Sequence, residues 1–376
     1  MTKRIYFDHN STSPARPEVI EAVGYAMTVI GNPSAPHAHG RAARGLISDA
    51  REALAVKLGL CAQDIIFTGS GTEGNNTAVM SAVSGGCKRL LISSLDHPAS
   101  QSAAERSGAT IDFIPALKSG LMDMNWLETE LKNWNEADGR PFVSMPAANS
   151  ETGVIQDYER AIEMTKDAGG LILIDAVQTL GKIDFMCLPD YLSVSAHKIG
   201  GPQGVGALYV SSDAPFTAYL TGGGQEQRRR AGTMNVAGIY GFGAAVKEAH
   251  SLSDINKIRD YIEVILADME PGLTIFGKDV TRLPNTSFFA LPDTSSMTLM
   301  MALDLEGISV SRGMACSSGK TGASKALTAM NCQDQAPEGA IRLSLGYNST
   351  LEEAEIFLNS WAKIRNIDRT KLKVAS

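Results

Sequence analysis

The chain has 376 residues, of which 44% are hydrophobic, and its 34 basic and 41 acidic side chains give a formal charge of -7. A chain of this length and composition can bury a large core and is expected to form more than one domain. The charge balance, with no basic stripe, argues against a nucleic-acid-binding protein. The one basic cluster, Arg228 to Arg230, is explained by a solvated turn, although its glycine-rich surroundings leave a role in anion binding open.

No apolar run approaches the roughly 18–20 residues that a membrane span needs. The start, MTKRIYFDHNSTSP, lacks the apolar core of a secretory signal. We therefore expect a cytoplasmic protein with no membrane or nucleic-acid partner.

The five cysteines are scattered and include no CxxC pair, which favours neither a disulfide framework nor a zinc site, and no metal is expected. Cys61 and Cys87 adjoin apolar runs and are expected to be small buried hydrophobes. Cys187 is expected to be packed or in a turn, and Cys332 to lie in a polar loop. The fifth, Cys316, differs from these because it lies in the Gly/Ser-rich stretch SRGMACSSGK.

Helical periodicity appears first over residues 17–30, where Pro17 suits a first turn and Gly31 a stop, and again over 41–58 before Gly59. Short β-prone runs then alternate with helical stretches. These runs are 65–67, 89–92, 111–114, 142–143, 171–174, 191–194 and 207–210. The alternation predicts an α/β fold with a mostly parallel, seven-stranded sheet covered by helices on both faces.

After about residue 245 the pattern changes. It predicts a long helix over 254–269, a strand over 285–290, a helix near 296–305 and a last helix that begins at Thr350 with Glu353 in a capping box. Helices mixed with fewer strands predict a second, smaller α+β domain. We therefore divide the chain into a large domain, 15–250, and a small domain formed by 1–14 and 251–376, which contains a Gly/Ser-rich loop near 311–322.

In doubly wound sheets, ligands bind beyond the carboxyl ends of the strands, and polar groups follow several of the predicted strands. TGSGTEGNN places glycines and hydroxyls where a helix begins, which suits a phosphate group, although an ordinary tight turn explains it about equally well. Asp175 ends an apolar strand, and Gln178 lies three residues further on. An acid in that place is either a structural N-cap or a carboxylate aimed at a protonated heterocyclic nitrogen.

A lysine ends another apolar strand, in SVSAHKIGGPQG, residues 193–204. Lys198 is either a solvated loop residue or an amine that forms Schiff bases with carbonyl compounds. His97 in LDHPAS also follows a strand and alone would be a surface loop residue, while PAANSETG adds Asn149, Ser150 and Glu151 after another strand. Pyridoxal 5'-phosphate requires a site for its phosphate group, a lysine that forms a Schiff base, an acid for its ring nitrogen and a flat group that stacks on the ring.

These motifs resemble those of the class V aminotransferase family and, within it, of the cysteine desulfurases. The likeness runs almost end to end, through YFDHNSTSP, GNPSAPHAHG, FTGSGTEGNN, SLDHPA, NSETGVIQD, IDAVQTLGK, SAHKIGGPQGVGALYV, GGGQEQRRRAGT, SRGMACSSGK and IRLSLG. The resemblance implies a fold-type I arrangement. It also implies a homodimer in which the TGGGQEQRRRAGT segment reaches into the partner's active site.

The resemblance further implies which residues bind pyridoxal 5'-phosphate. They are Lys198, Gly71, Thr72, His97, Asn149, Ser150, Asp175, Gln178, Ser195, His197 and Thr233, the last from the neighbouring subunit. Among them, Lys198 forms the Schiff base, Asp175 pairs with the ring nitrogen and His97 stacks on the ring. Gln178 contacts the phenolic oxygen.

For the substrate, the resemblance implies that Arg342 clamps the carboxylate and that Asn32 assists, while a structural ion pair is the alternative for Arg342. The chain departs from the family in three places. Asn149-Ser150 stands for two adjacent asparagines, so either residue can be the cofactor contact. Gln225 replaces a common histidine, and Arg312 and Met314 replace small residues beside Cys316.

Cys316 lies among small residues in SRGMACSSGK, which is typical of an exposed nucleophile that must reach its substrate, and the family motif places the catalytic cysteine here. The implied reaction removes sulfur from L-cysteine and gives L-alanine and a persulfide on Cys316. Lys198 would take the Cα proton, and His97 is a candidate proton shuttle. The sulfur would pass to an acceptor such as an iron–sulfur scaffold protein or a thiolation relay.

Three other functions stay open. A selenocysteine lyase and a small-substrate aminotransferase share the cofactor, but an aminotransferase would not need Cys316. A non-catalytic scaffold that keeps the cofactor fold is the third, and the presence of Lys198, Asp175 and Cys316 together argues against it.

Overall fold

The computed structural model of the chain describes residues 4–185, 187–252, 254–313 and 324–371. In chain order, the strands in these ranges are β1 (Ile5–Tyr6), β2 (Ile65–Thr68), β3 (Arg89–Ser93), β4 (Thr110–Ile114), β5 (Phe142–Pro146), β6 (Leu171–Asp175), β7 (Tyr191–Ser195), β8 (Gly206–Val210), β9 (Thr274–Ile275), β10 (Thr286–Ala290), β11 (Ile308–Ser309), β12 (Ser311–Arg312) and β13 (Ile341–Ser344).

The helices in the same ranges are α1 (Pro17–Thr28), α2 (Ala38–Leu58), α3 (Gly71–Ser84), α4 (Pro98–Ser107), α5 (Met124–Lys132), α6 (Tyr158–Asp167), α7 (Val236–Glu248), α8 (Ile255–Met269), α9 (Ser296–Leu305), α10 (Lys325–Ala329) and α11 (Leu351–Arg365). None of the helices in the described ranges has the length and apolar character that a bilayer crossing requires.

Seven strands form the central sheet, in the order β2-β8-β7-β6-β5-β3-β4. Strand β8 is antiparallel to both of its neighbours, and the other pairs are parallel. The prediction of a mostly parallel, seven-stranded sheet is therefore confirmed. The pairing also places Asp175 between Pro146 of β5 and Ser193 of β7, at one edge of the sheet.

Helices cover both faces of this sheet. Alternate residues of β6 belong to two different hydrophobic clusters: Ile172 and Ile174 pack in the cluster that holds residues of α2 and α7, while Leu171 and Leu173 pack in the cluster that holds residues of α3 and α4. Because every residue of β6 is buried, the strand reads as an apolar run without alternation, as strands buried on both faces do.

The remaining strands form two small sheets. A four-stranded sheet has the order β12-β13-β10-β9, and β1 pairs in parallel with β11. A third hydrophobic cluster joins Ile5 and Phe7 of the N-terminal segment to residues of α8, α9 and α11, among them the fully buried Trp361. The pairing of β1 with β11 holds residues 8–12, which follow β1, against the carboxyl edge of the central sheet.

Helix ends show where sequence periodicity is an imprecise guide. Helix α2 begins at Ala38, three residues before the predicted start, because the His37 ring accepts the main-chain N–H of Gly40 at 3.2 Å and extends the helix by a turn. The predicted capping box of α11 is confirmed, since Thr350 and Glu353 accept each other's main-chain N–H at 3.2 Å.

Candidate active site

A cavity of about 610 Å³ lies at the carboxyl edge of the central sheet. Its lining comes from Asn10, Ser11, Ser70, Gly71, Thr72, Asn75, Leu95, His97, Pro98, Pro146, Ala148, Ser150, Glu151, Asp175, Val177, Gln178, Ser195, His197, Lys198, Met297, Met300, Ser311, Arg312, Lys325 and Arg342. Its volume suits a cofactor or small substrate. The lining has two parts. We call Asn10, Asn75, Asp175, Gln178 and Lys198 the cavity floor, and Met297, Met300, Arg312 and Lys325 the cavity mouth.

Lys198 ends the short turn that follows β7 and lines the cavity. Its amine donates to the main-chain carbonyl oxygens of Asn10 at 2.7 Å and Ser11 at 2.8 Å. Both carbonyls belong to the N-terminal segment that follows β1, the strand that pairs with β11. The N-terminal segment therefore holds the amine at the cavity.

Asp175, the last residue of β6, is 7% exposed and accepts two hydrogen bonds. Its Oδ1 accepts the main-chain N–H of Val177 at 3.0 Å, and its Oδ2 accepts the side-chain amide of Asn75 at 2.8 Å. The hydroxyl of Ser193 donates to the other end of the Asn75 amide, which fixes the amide's orientation. Asn75, on α3, was missed in the sequence because one asparagine on a helix gives no sign that it faces inward.

The start of α3 provides main-chain N–H groups at the cavity. Ser70 caps the helix by accepting the Glu73 N–H at 3.2 Å, and Gly71 and Thr72 line the cavity. A Cβ atom at Gly71 would lie 2.7 Å from the Val177 side chain, so only glycine fits this close approach. The open N–H groups and the helix dipole make this a favourable place for an anion.

Two histidines face the cavity. His197 contacts the Thr12 hydroxyl at 3.2 Å, and burial, with the charges of Lys198 and Lys182, lowers its pKa to about 4. His97 caps α4, where its Nδ1 accepts the Ala99 N–H at 3.1 Å, so the neutral ring carries its proton on Nε2. Burial lowers the His97 pKa, and Asp175 opposes that effect.

The Asn149-Ser150 pair divides between two roles. The side-chain oxygen of Asn149 accepts the main-chain N–H groups of Glu151 and Thr152, both at 3.0 Å, which holds the turn together. Asn149 does not line the cavity, whereas Ser150 does. Gln178 also lines it, with its amide nitrogen donating to the Asn10 carbonyl at 3.0 Å.

Arg342 comes from β13 and is 8% exposed. Its guanidinium pairs with Asp8 at 2.6 Å and donates to the Ser11 hydroxyl at 2.7 Å and the Ser150 carbonyl at 3.1 Å. Its Nε is buried without a hydrogen-bond partner among the described residues. Arg342 thus combines a structural ion pair with a position in the cavity lining.

Two predicted residues lie outside the cavity lining, and a third is not described. Asn32 is exposed and its side chain accepts the Ser34 N–H at 2.9 Å, away from the cavity lining. Thr233 is also exposed and does not line the cavity of its own chain. Cys316 lies outside the described residues, as does most of the loop near 311–322.

The cavity mouth contains residues that the sequence did not identify as site residues. Arg312 donates to the Ser296 hydroxyl at 2.9 Å and contacts the Met297 sulfur at 3.5 Å, while Lys325 bonds to Gln101 at 3.3 Å. Beside them, Glu151 accepts from the Ser324 hydroxyl and from the Ala326 N–H. Burial raises the Glu151 pKa.

The fully buried Asp96, next to His97, was also missed. Burial raises its pKa well above its usual range, and its one described side-chain hydrogen bond comes from the Ser144 hydroxyl at 2.6 Å. Burial of this kind disfavours the charged form of the carboxyl group.

The four described cysteines are outside the cavity lining. Cys87 is buried as predicted, and burial raises its pKa to about 11; burial raises that of the partly buried Cys187 to about 12. Cys61 is exposed, so the prediction of burial was wrong: it precedes a short turn at the surface, and the apolar residues beside it face inward instead. Cys332, predicted in a polar loop, is buried between the Met330 carbonyl and Gln335.

Comparisons with known proteins agree on one family. The model of the aminotransferase class-V family matches residues 5–357. The curated cysteine desulfurase IscS of Dictyoglomus turgidum is 34% identical over 97% of this chain and 95% of its own length, and a cysteine desulfurase of Cereibacter sphaeroides is 35% identical over 95% of this chain and 94% of its own. The crystal structure of a NifS-like protein from Rickettsia africae superposes with a TM-score of 0.87 at 34% identity and covers 97% of this chain and all of that chain.

Proposed function

This chain belongs to the class-V aminotransferase family, and within that family we propose that it is a cysteine desulfurase. The proposal rests on the named relatives and on one structural observation. The cavity that contains Lys198, Asp175 and His97 is also lined by Arg312 and Lys325, which lie on either side of the segment that carries Cys316. The chain therefore enters and leaves that segment at the cavity mouth.

The cavity residues fit pyridoxal 5'-phosphate. The α3 N-terminus offers N–H groups to the phosphate, Lys198 offers an amine, and the hydrogen-bonded Asp175 offers a buried carboxylate to a protonated ring nitrogen. When bound, the cofactor supplies an electron sink for the negative charge formed at the substrate Cα. We propose that Ser195, His197 and Thr72 complete the phosphate site and that Ser150, rather than Asn149, contacts the cofactor.

The chain's own groups have distinct tasks in the proposed reaction. Lys198 Nζ takes the Cα proton of L-cysteine, and His97 Nε2, which carries a proton in the neutral ring, returns protons to the substrate. Arg342 binds the substrate carboxylate. The Cys316 thiolate attacks the substrate sulfur: an S–S bond forms, the C–S bond breaks, and Cβ gains a proton to become the methyl group of L-alanine.

The segment that contains Thr233 supports a homodimer with shared sites. Residues 221–224, 227 and 228 are exposed, as is Thr233, which lies outside its own chain's cavity. Glu226 anchors this segment through a buried pair with Arg51 at 2.6 Å. We propose that Thr233 reaches the partner's phosphate site, and that residues 15–250 form the cofactor-binding domain.

We also propose a cytoplasmic location and transfer of the persulfide sulfur to an acceptor protein, such as an iron–sulfur scaffold or a thiolation relay. The named desulfurase relatives and the acidic charge balance support these proposals.

The test is a product assay. Purified protein loaded with pyridoxal 5'-phosphate is incubated with L-cysteine and dithiothreitol, and alanine and sulfide are quantified. Equal amounts of both support a desulfurase. Selenide release from L-selenocysteine without turnover of L-cysteine would favour a lyase, and amino-group transfer to a keto acid would favour an aminotransferase.

A further inference from the structure

Lys182 is a buried lysine that the proposed reaction does not use. It lies in the turn after β6, is 2% exposed and donates to the side-chain oxygens of Asn10 at 2.7 Å and Gln178 at 2.6 Å. No carboxylate among the described residues pairs with it. A lysine is rarely buried in this way, so its position calls for a specific explanation.

The surroundings of Lys182 are cationic. Burial, with the charges of Lys198 and Arg342, lowers its pKa well below the usual value, and Lys182 in turn lowers the pKa of His9 and His197. Besides these four groups, Arg16 and Tyr347 line a small pocket together with Lys182. Burial disfavours the charged form of the amine, which donates to two amide oxygens instead of forming an ion pair.

Both amide oxygens accept from this donor, and the Asn10 oxygen also accepts from the Asn285 side chain at 3.1 Å. With the Gln178 oxygen bound to Lys182, the Gln178 nitrogen lies on the other side and donates to the Asn10 carbonyl at 3.0 Å. With the Asn10 side-chain oxygen also bound to Lys182, the Asn10 nitrogen donates to the Thr286 hydroxyl at 2.8 Å. The Asn10 main-chain carbonyl, held in this way, is the acceptor for Lys198.

We propose that Lys182 is a positioning residue for the cofactor site: by donating to the side-chain oxygens of Asn10 and Gln178, it keeps the Gln178 nitrogen, rather than the oxygen, on the cavity side. The inference rests on the proposed function and on the expected contact of Gln178 with the phenolic oxygen of the cofactor, which we assign to the Gln178 nitrogen as donor. That donation stabilises the phenolate. A reversed amide would present an oxygen to the phenolate and destabilise it.

The test is an absorbance titration of the loaded protein between pH 6 and 10, which gives the pKa of the lysine-bound chromophore. Lys182→Met keeps the length of the side chain and removes the donor, so the chromophore pKa is expected to rise by about one unit, a tenfold change in the proton-binding constant. Lys182→Gln restores a donor and is expected to shift the chromophore pKa by less than half as much as Lys182→Met does. Lys57→Met, which removes a lysine that donates to the Ala249 carbonyl and does not line the cavity, is the control and is expected to shift nothing.

A second arm tests whether Lys182 acts through Gln178. Gln178→Leu is expected to raise the chromophore pKa as much as Lys182→Met does, and the double variant is expected to add nothing further, because both remove the same donation. Should Lys182→Met not fold, as judged by its thermal transition, Lys182→Gln and Gln178→Leu decide the matter. A Lys182→Gln shift as large as that of Gln178→Leu would then overturn the proposal.

The remaining outcomes separate this inference from the function on which it rests. Suppose that the wild type forms a normal chromophore. If Lys182→Met then leaves the chromophore pKa unchanged, or if the Met and Gln variants shift that pKa equally, the positioning role is overturned and the desulfurase proposal stays intact. A wild-type protein that forms no lysine-bound chromophore contradicts both.

Discussion

The cavity floor and the cavity mouth differ in how their side chains are held. On the floor, Asn75, Asp175 and Gln178 are almost completely buried and joined to their neighbours by hydrogen bonds of 2.6–3.0 Å. At the mouth, Met297 is 38% exposed, and Arg312 and Lys325 have no described carboxylate partner. A site that stabilises developing charge needs groups fixed in advance, whereas flexible methionines and long cations can adapt to different occupants.

This difference predicts that floor substitutions abolish the chemistry. Lys198→Ala should lower turnover of L-cysteine by roughly 10³-fold or more and remove the absorbance of the lysine-bound cofactor, because no other residue of the floor carries an amine. The measurements are kcat and the visible spectrum. Lys57→Met serves as control, and a Lys198→Ala variant with wild-type turnover would show that another residue binds the cofactor.

Substitution of Cys316 tests the two parts of the cavity separately. Cys316→Ser should leave the floor, the cofactor spectrum and its response to L-cysteine intact, yet reduce alanine formation by roughly 10²-fold or more, since a hydroxyl is a poor substitute for a thiolate.

Single replacements of the four other cysteines are the matched controls for this variant. Each should keep alanine formation close to the wild-type rate, as Cys87, Cys187 and Cys332 have thiols whose pKa is raised by burial. Unchanged alanine formation in Cys316→Ser would rule out this cysteine as the sulfur acceptor within the enzyme.

The floor carboxylate gives the next largest effect. Asp175→Asn keeps the shape but removes the negative charge, and kcat/KM should fall by roughly 10²-fold, within the range for losing a preorganised electrostatic contact. The cofactor content should change little. A loss of less than threefold would mean that the charge of Asp175 does not act on the reaction.

Two histidines beside the floor should make the stability of the chain sensitive to acid. His9 and His197 have a pKa of about 4 in the folded chain, below the ordinary value of 6.5, so the unfolded chain binds more protons between these values. The free energy of unfolding should therefore fall as the pH is lowered from about 6.5 to 4, by roughly 1 to 3 kcal/mol. Urea unfolding of the wild type and of His9→Gln measures this, and an equal loss in both would exclude a contribution from His9.

The mouth should give the smallest effect. Arg312→Ala removes a part-exposed cation bonded to a serine hydroxyl and a methionine sulfur, and kcat/KM for L-cysteine should change by less than about threefold. Arg312→Lys is the conservative partner. A hundredfold loss in Arg312→Ala, restored by lysine, would give the mouth a direct part in substrate binding.

The sequence predicted the parts of the site that follow from strands. Lys198 and Asp175 stand at the ends of apolar runs, and the carboxyl ends of parallel strands meet at one edge, so their proximity could be inferred from the sequence alone. Asn75, Asn10 and Lys182 could not be found in this way. Asn75 contacts Asp175 across 100 positions of sequence, and Lys182 contacts Asn10 across 172, so only tertiary packing brings them together.

Local chemistry explains the other differences. The side chain of His37 lengthens α2 by capping it, and periodicity does not register a cap made by histidine. The neighbours of Cys61 are apolar, yet it lies on the exposed side of a turn. Asn32 and Thr233 lie outside the cavity lining of their own chain, and a single sequence does not specify what a second subunit would cover.

The most direct test of the central claim is the mass of the peptide that carries Cys316 after one turnover. Protein loaded with pyridoxal 5'-phosphate is mixed with one equivalent of L-cysteine without reductant, quenched by alkylation, digested and analysed by mass spectrometry. The account predicts one added sulfur on Cys316 and an equal amount of alanine, with no sulfur added in Lys198→Ala. Alanine formed without sulfur on Cys316, or sulfur on another cysteine in its place, would contradict it.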